Sequence, residues 1–231
     1  MLDLEEDLSV LTPAQLYSLA IQYERGEGVE KDIQRAVDLY ERSAQKNHLD
    51  AQFTLGILYM QGLGVEQDVD DALYWWKKAA RAGHDKAQFN LGVSFYNGHR
   101  GNPDYAEAVR WLEKSARGDN TRAMFFLGRE YYTGKNIPQD FVLAHKLLLK
   151  AANKNLLDAQ VDIGLMYALG QGVRTPDPVS GFAWVKVAAD QGAENAKTVL
   201  DAFDKDFNFT QANREKAERL AASLLAKVIK V

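Results

Sequence analysis

Three groups of residues in this chain have types and spacings that could do chemistry. Ser43-Ala44-Gln45-Lys46 sets a lysine three residues after a serine. In that pairing a lysine amine can activate a serine hydroxyl for attack on an acyl group. No Lys-Thr-Gly or Ser-Asp-Asn follows to complete such a site. Gly128 through Gly134-Lys135 imitates a phosphate-cradling loop, but the spacing is one residue too long and Asn136 stands where a hydroxyl would hold magnesium. His48, His84, His99 and His145 are potential metal ligands or bases. His48 and His84 share one position of an internal repeat, so about one helix pair separates them, beyond shared metal reach, and no carboxylate keeps ligand spacing with either. They read as surface residues. Asp70-Asp71 reads as the first turn of a helix, where negative charge meets the dipole. No catalytic residue, metal ligand or cofactor is assigned.

Each of these residues belongs to a repeat of about 36 residues. Leu19, Leu55, Leu91, Leu127 and Ile163 are in phase, followed by the small residues Ala20, Gly56, Gly92, Gly128 and Gly164. Tyr23, Tyr59, Phe95, Tyr131 and Tyr167 come next, then Gly26, Gly62, Gly98, Gly134 and Gly170. Asp32, Asp68, Asp104, Asp140 and Asp177 keep the period, the last step being one residue longer. Ser43 falls in register with Ala79, Ser115, Ala151 and Ala188, which marks it as a small packing residue.

Each unit reads as two helices. Leu55 and Tyr59 lie four apart, hence on one face. Gly62 can stop the first helix in a left-handed conformation. Asp68 is an N-cap type for the second helix, and Asp104 with Glu107 has the spacing of a capping box. Pro178 suits a first helical position. The second helices end at Asn47, Gly83, Asp119, Asn155 or Gly192, residues that tolerate positive φ. Large Trp75, Trp111 and Trp184 alternate with small Gly56, Gly92 and Ala80, so neighbouring helices can interdigitate. At the ends, Thr12-Pro13-Ala14-Gln15 forms a capping box, and Thr210 caps a final amphipathic helix that lies over the last repeat. Phe203, Phe207 and Phe209 pack where the chain leaves it.

Ala-x-x-x-Leu-Gly-x-x-Tyr-x-x-Gly-x-Gly-Val, with the later Ala-x-x-Trp-x-x-x-Ala-Ala and Gly, is carried almost completely by Ala51 to Gly83. This pattern resembles the Sel1-like repeat family, a relative of the tetratricopeptide repeats, over roughly residues 15–203. The third unit departs from it, with His99-Arg100-Gly101-Asn102-Pro103 in place of the Gly-Val loop. The resemblance implies an all-α fold: a right-handed α/α superhelical solenoid of about five helix-turn-helix repeats with capping helices. The expected organisation is an acidic segment and cap over 1–13, an array over 14–203, and a C-terminal capping helix over 204–231. Its units lie near 14–50, 51–86, 87–122, 123–158 and 159–195, with a partial sixth over 196–203.

The resemblance also implies a non-enzymatic adaptor that binds a protein or peptide segment, in a bacterial signalling, envelope or host-interaction system. The alternative is a β-lactam-binding or hydrolase-like member of the family. By similarity to tetratricopeptide proteins, the first helices line a concave groove. Tyr17, Phe53, Phe89, Phe125 and Val161 form one row. Ile21, Ile57, Val93, Arg129 and Leu165 form a second, and Glu24, Met60, Tyr96, Tyr132 and Ala168 a third. The expected groove centres on Phe89, Val93, Tyr96, Phe125, Arg129 and Tyr132.

A net charge of −4 gives no electrostatic reason to bind nucleic acid, and no apolar run reaches the ~20 residues of a membrane span. Cysteine is absent, which excludes disulfides and thiolate metal sites. Asp3, Glu5, Glu6 and Asp7 make the first residues the reverse of a secretory signal. A cytoplasmic monomer is therefore expected, or a periplasmic or secreted one if a leader has been removed.

Overall fold

The computed structural model describes residues 8–99, 101–207 and 209–230. The acidic stretch expected at the start therefore lies, in its first seven residues, outside the described residues. Among the described residues there are twelve α-helices and no strand. The fold is an all-α helical repeat solenoid, and the chain divides into two units, Met1–Gly118 and Asp119–Val231.

The first unit holds α1 (Pro13–Arg25), α2 (Ile33–Gln45), α3 (Leu49–Gln61), α4 (Val69–Arg81), α5 (Asp85–Asn97) and α6 (Tyr105–Arg117). They pack as the hairpins α1–α2, α3–α4 and α5–α6, with α2 against α3 and α4 against α5. The second unit holds α7 (Thr121–Thr133), α8 (Phe141–Asn153), α9 (Leu157–Leu169), α10 (Pro178–Asp190), α11 (Ala196–Asp206) and α12 (Gln211–Val228). Here α7 pairs with α8 and α9 with α10, and α8 packs against α9. Both α11 and α12 lie on α10, which buries Phe182, Ala183, Trp184, Val185, Val187 and Ala188 around much of its circumference.

Local chemistry sets the boundaries. Each first helix from α1 to α9 ends at a glycine with φ between 64° and 74°, the conformation that a side chain would strain. The carbonyl of the repeat aromatic then accepts a bond from the N–H of the repeat aspartate. The distances are 2.9 Å for Tyr23–Asp32, 3.0 Å for Tyr59–Asp68, 2.9 Å for Phe95–Asp104, 2.9 Å for Tyr131–Asp140 and 2.8 Å for Tyr167–Asp177. The same aspartates cap the second helices through their side chains. Asn47, Gly83, Asp119, Asn155 and Gly192 all take positive φ after those helices, as their types predict. The Thr12 capping box closes in both directions, but the box expected at Asp104 does not. The Asp104 N–H is already taken by Phe95, and the Glu107 carboxylate turns to the Trp111 indole, 2.9 Å away.

Packing leaves no room for a side chain where the repeat glycines face the second helix of their own hairpin. A Cβ on Gly56 would fall 2.2 Å from the Trp76 indole; on Gly92 it would fall 2.7 Å from Leu112 Cγ, and on Gly128 2.7 Å from Leu148 Cγ. The residue covering each glycine is thus one position beyond the tryptophan row expected to do so. Trp76 also donates to the Phe53 carbonyl at 3.1 Å, whereas Trp75 is half-buried with the Lys78 ammonium over its ring. In the fifth repeat Gly164 and Gly181 face each other, so a Cβ on either would meet the other's carbonyl oxygen within 2.7 Å. This is why glycine replaces alanine at position 181.

Candidate protein-binding faces

The residues with reactive spacing come first. Ser43 is fully buried, and its hydroxyl donates to the Pro13 carbonyl at 2.7 Å. Ser115, in the same register, donates to the Asp85 carbonyl at 2.7 Å. Neither hydroxyl meets a base; both tie a second helix to the start of the first helix in their own hairpin. Lys46 points elsewhere, its Nζ donating to the carbonyls of Ser9 and Leu11. Gly128 and Gly134 are separate packing and helix-ending residues. Among the described residues, no group of three or more His, Asp or Glu could hold a metal ion, and no helix is long and apolar enough to cross a membrane.

His48 and His84 are not plain surface residues. Each caps a first helix: Nδ1 of His48 accepts from Ala51 N–H at 3.3 Å, and Nδ1 of His84 accepts from Ala87 N–H at 3.1 Å. Each ring also stacks on the first-row aromatic of the preceding first helix, His48 on Tyr17 at 4.7 Å and His84 on Phe53 at 4.8 Å. His84 Nε2 further meets Asp50 at 3.2 Å, although its side chain is only 9% exposed. The carboxylate contact was invisible in sequence because the partners are 34 residues apart. His145 sits edge-on to Tyr167, and burial holds its pKa below the usual histidine range. His99 lines a cleft beside Leu73, Tyr74 and Phe95.

The candidate face of the first unit follows from helical geometry. Phe89, Val93 and Tyr96 follow one another along α5 at intervals of four and three, hence on one face, and all are half-buried. Tyr96 also packs edge-on against Tyr105 at 5.2 Å. Beside them on α1 and α3, Tyr17, Ile21, Phe53, Ile57 and Met60 are half-buried too. Phe53, Ile57 and Met60 lean on the core of Trp76, Leu91 and Trp111. Glu24, the third-row member on α1, is occupied as the acceptor of the Tyr40 hydroxyl. Burial together with that carboxylate pushes the Tyr40 phenol far up. Tyr59 repeats the device, donating to Glu41 at 2.8 Å, and burial with the same kind of bond pushes it up to about 12.

In the second unit, Phe125, Arg129 and Tyr132 share one face of α7. Phe125 and Tyr132 are half-buried, with Tyr132 edge-on to Phe141 at 5.6 Å. The Arg129 side chain is 61% exposed, with its guanidinium over the Phe125 ring at 5.7 Å and 3.7 Å from the Asp162 carboxylate on α9. Burial raises the Asp162 pKa, the Arg129 charge opposes that rise, and Asp158 adds to it. Val161 and Ala168 are core, 2% exposed each, inside the cluster that contains Phe182 and Phe203. Leu165 is half-buried against the same cluster. Phe203, Phe207, Phe209 and Phe182 pack on one another, with Arg214 over the Phe182 ring, so these aromatics form an end cap for the unit.

A buried glutamine ladder was not singled out in the sequence. Nε2 of Gln52 donates to the Ala44 carbonyl at 3.0 Å, Gln88 to Ala80 at 3.0 Å, and Gln160 to Ala152 at 3.3 Å. The bonds tie each first helix to the second helix before it. The signal available was a polar residue kept at one repeat position, directly after the repeat alanines Ala51, Ala87 and Ala159.

The Sel1 repeat profile matches residues 16–48, 49–84, 85–120, 121–156 and 157–192. No curated protein sequence matches the chain. Among solved structures, the chain is similar to a Sel1 repeat protein from Oxalobacter formigenes, with 29% identity and a TM-score of 0.77 over 95% of this chain and 89% of that one. It is also similar to c5321, a protective antigen of uropathogenic Escherichia coli with 25% identity and a TM-score of 0.55. That match covers 94% of this chain and 54% of the antigen, so the chain spans about half of it. A third similar structure, a putative Sel1 repeat protein from Klebsiella pneumoniae, has 23% identity and a TM-score of 0.51 over 83% of this chain and 93% of that one.

Proposed function

Because the chain belongs to the Sel1 repeat family, whose members mediate protein–protein interaction, we propose that it is a non-enzymatic scaffold whose first helices hold a segment of another protein. The observation that carries this reading is the half-buried row on one face of α5, Phe89, Val93 and Tyr96. Its counterpart in the second unit is Phe125, Arg129 and Tyr132 on α7. Tyrosine and arginine in such rows dominate many interfaces, each contributing ~2 kcal/mol or more where water is excluded. A bacterial signalling, envelope or host-interaction setting fits similar structures from bacteria. The protein acts there as a monomer in the cytoplasm. Ser43, buried and without a base, offers the hydrolase alternative no nucleophile.

The test is site-specific crosslinking in cells of the source organism. A photoreactive residue at Val93 or Tyr132 should trap a protein partner, while one at the exposed second-helix residue Arg110 should not. Trapping at Arg110, with none at Val93 and Tyr132, would sink the reading. Gel filtration with light scattering tests the monomer, and fractionation the location.

A further inference from the structure

Outward positions that are mostly charged on the second helices of the first three repeats turn aliphatic in the fourth. Helical spacing sets Val142, Leu143, Lys146, Leu149 and Lys150 on one face of α8, opposite the buried Ala144, Leu148 and Ala151. Where α8 has Val142, Leu143 and Leu149, α2 has Gln34, Arg35 and Glu41. At the same positions α4 has Asp70, Asp71 and Lys77, and α6 has Ala106, Glu107 and Glu113. Val142 is 66% exposed and Leu143 38%, and Leu149 is half-buried. A helix that is apolar on both its inner and its outer side belongs in an interior, covered on both.

The fifth repeat has such a helix, and the chain covers it. On α10 the counterparts of Lys146 and Lys150 are Ala183 and Val187, which are fully buried, and α12 packs against that helix. The buried residues of α12, Ala217, Ala221 and Val228, follow helical spacing and are small or branched. The same α12 meets only the margin of α8. Charge marks what α8 lacks. On the other second helices, outward basic residues share their face with carboxylates: Arg42 pairs with Asp38 at 2.9 Å, Arg110 with Glu107 at 3.2 Å and Arg117 with Glu113 at 3.6 Å. Lys146 and Lys150 are exposed, and their face of α8 holds no carboxylate. A second copy of that face laid against the first would set lysine against lysine.

We propose that the outward face of α8 docks an amphipathic helix of another protein, apolar along one stripe as α12 is, with aspartate or glutamate bordering that stripe. The apolar stripe covers Val142, Leu143 and Leu149, and the carboxylates meet Lys146 and Lys150. This face lies on a second helix, apart from the α5 and α7 rows assigned above, so either reading can fail alone.

The probe is a blocked peptide of two Ala-Glu-Leu-Leu-Glu-Glu-Leu heptads, titrated into the full chain labelled with ¹⁵N. The amide signals of Val142, Lys146 and Leu149 should move saturably, and those of Phe89 and Val93 should not. Lysine in place of every glutamate of the peptide should weaken binding about tenfold or more at low salt. Val142→Asp with Leu143→Asp gives α8 the residues that α4 carries there. Both sites are exposed in the first helical turn, where aspartate suits the dipole, so this variant folds and should abolish the shifts. Lys146→Glu with Lys150→Glu should reverse the preference, so that the lysine peptide binds and the glutamate peptide does not. Vesicles of phosphatidylglycerol should leave the chain in the supernatant on sedimentation. No saturable shift on α8 at millimolar peptide, shifts that survive the double aspartate, or sedimentation with the vesicles that the double aspartate abolishes, would each overturn the proposal.

Discussion

Replacing Gly56 with alanine tests the contact on which the hairpin geometry rests. In an ordinary helix interior the change gains roughly 0.5–1 kcal/mol. Here the new methyl would lie 2.2 Å from two atoms of the Trp76 ring, well inside contact distance. The ring cannot simply step aside, because its Nε1–H is bonded to the Phe53 carbonyl at 3.1 Å. Overpacking of this kind costs about 1–3 kcal/mol, and losing a part-buried hydrogen bond adds about 1. After the helix gain is set against these, Gly56→Ala should destabilise the first unit by about 2 kcal/mol. The discriminating measurement is a double-mutant cycle with Trp76→Ala. That change alone is expensive, about 3–5 kcal/mol, so the cycle is run by urea unfolding at low temperature. With the indole gone, Gly56→Ala should become stabilising by about 0.5–1 kcal/mol, giving an interaction energy near 3. Equal effects in both backgrounds, or stabilisation in the native one, would refute the reasoning that the Trp76 ring alone closes that space.

Three further outcomes are expected. His84→Asn should keep the α5 cap, as Asn120 does for α7, and lose the stack on Phe53 and the contact with Asp50, whereas His84→Ala should lose the cap as well; unfolding free energies should place alanine about 1 kcal/mol below asparagine. Burial lowers the His145 pKa, so the unfolded chain binds an extra proton as pH falls below the ordinary histidine range. Stability should therefore decline through that window and remain flat above it with respect to this group, and His145→Leu should flatten the slope; an unchanged slope would show that the ring is not held neutral. Finally, Arg129→Gln should move the Asp162 titration upward in carboxyl-detected NMR, since the one opposing charge is removed while burial and Asp158 remain; an unmoved titration would mean that the two groups do not interact in solution.

The hairpin order, the aspartate caps and the positive-φ stops were legible because each rests on a local requirement that one residue type meets. Legibility ended where a third dimension decides. The repeat pattern set Trp75 against the small residues, yet Trp76 covers Gly56, because helix rotation within a hairpin is settled by packing. Histidine is an uncommon cap, so His48 and His84 read as surface until the turn showed Nδ1 beneath an amide. Of the three rows expected on the first helices, the geometry of α5 and α7 was readable from four-and-three spacing. The burial of Val161 and Ala168 was not, because it depends on a cluster that recruits Phe203 and Ala217 from the tail.

The bond from the aspartate amide to the aromatic carbonyl has a bearing on how such chains change length. In the fifth repeat the loop carries one residue more than in the second, yet the closing distance is 2.8 Å against 3.0 Å. A main-chain clasp that ignores side chains and tolerates slack lets a loop lengthen while the two helices it joins stay put. The stretch between Gly172 and Pro176 is thus the natural seam for new material: an epitope, a docking peptide or a short reporter sewn in there would ride on the surface and leave the helical frame unaltered.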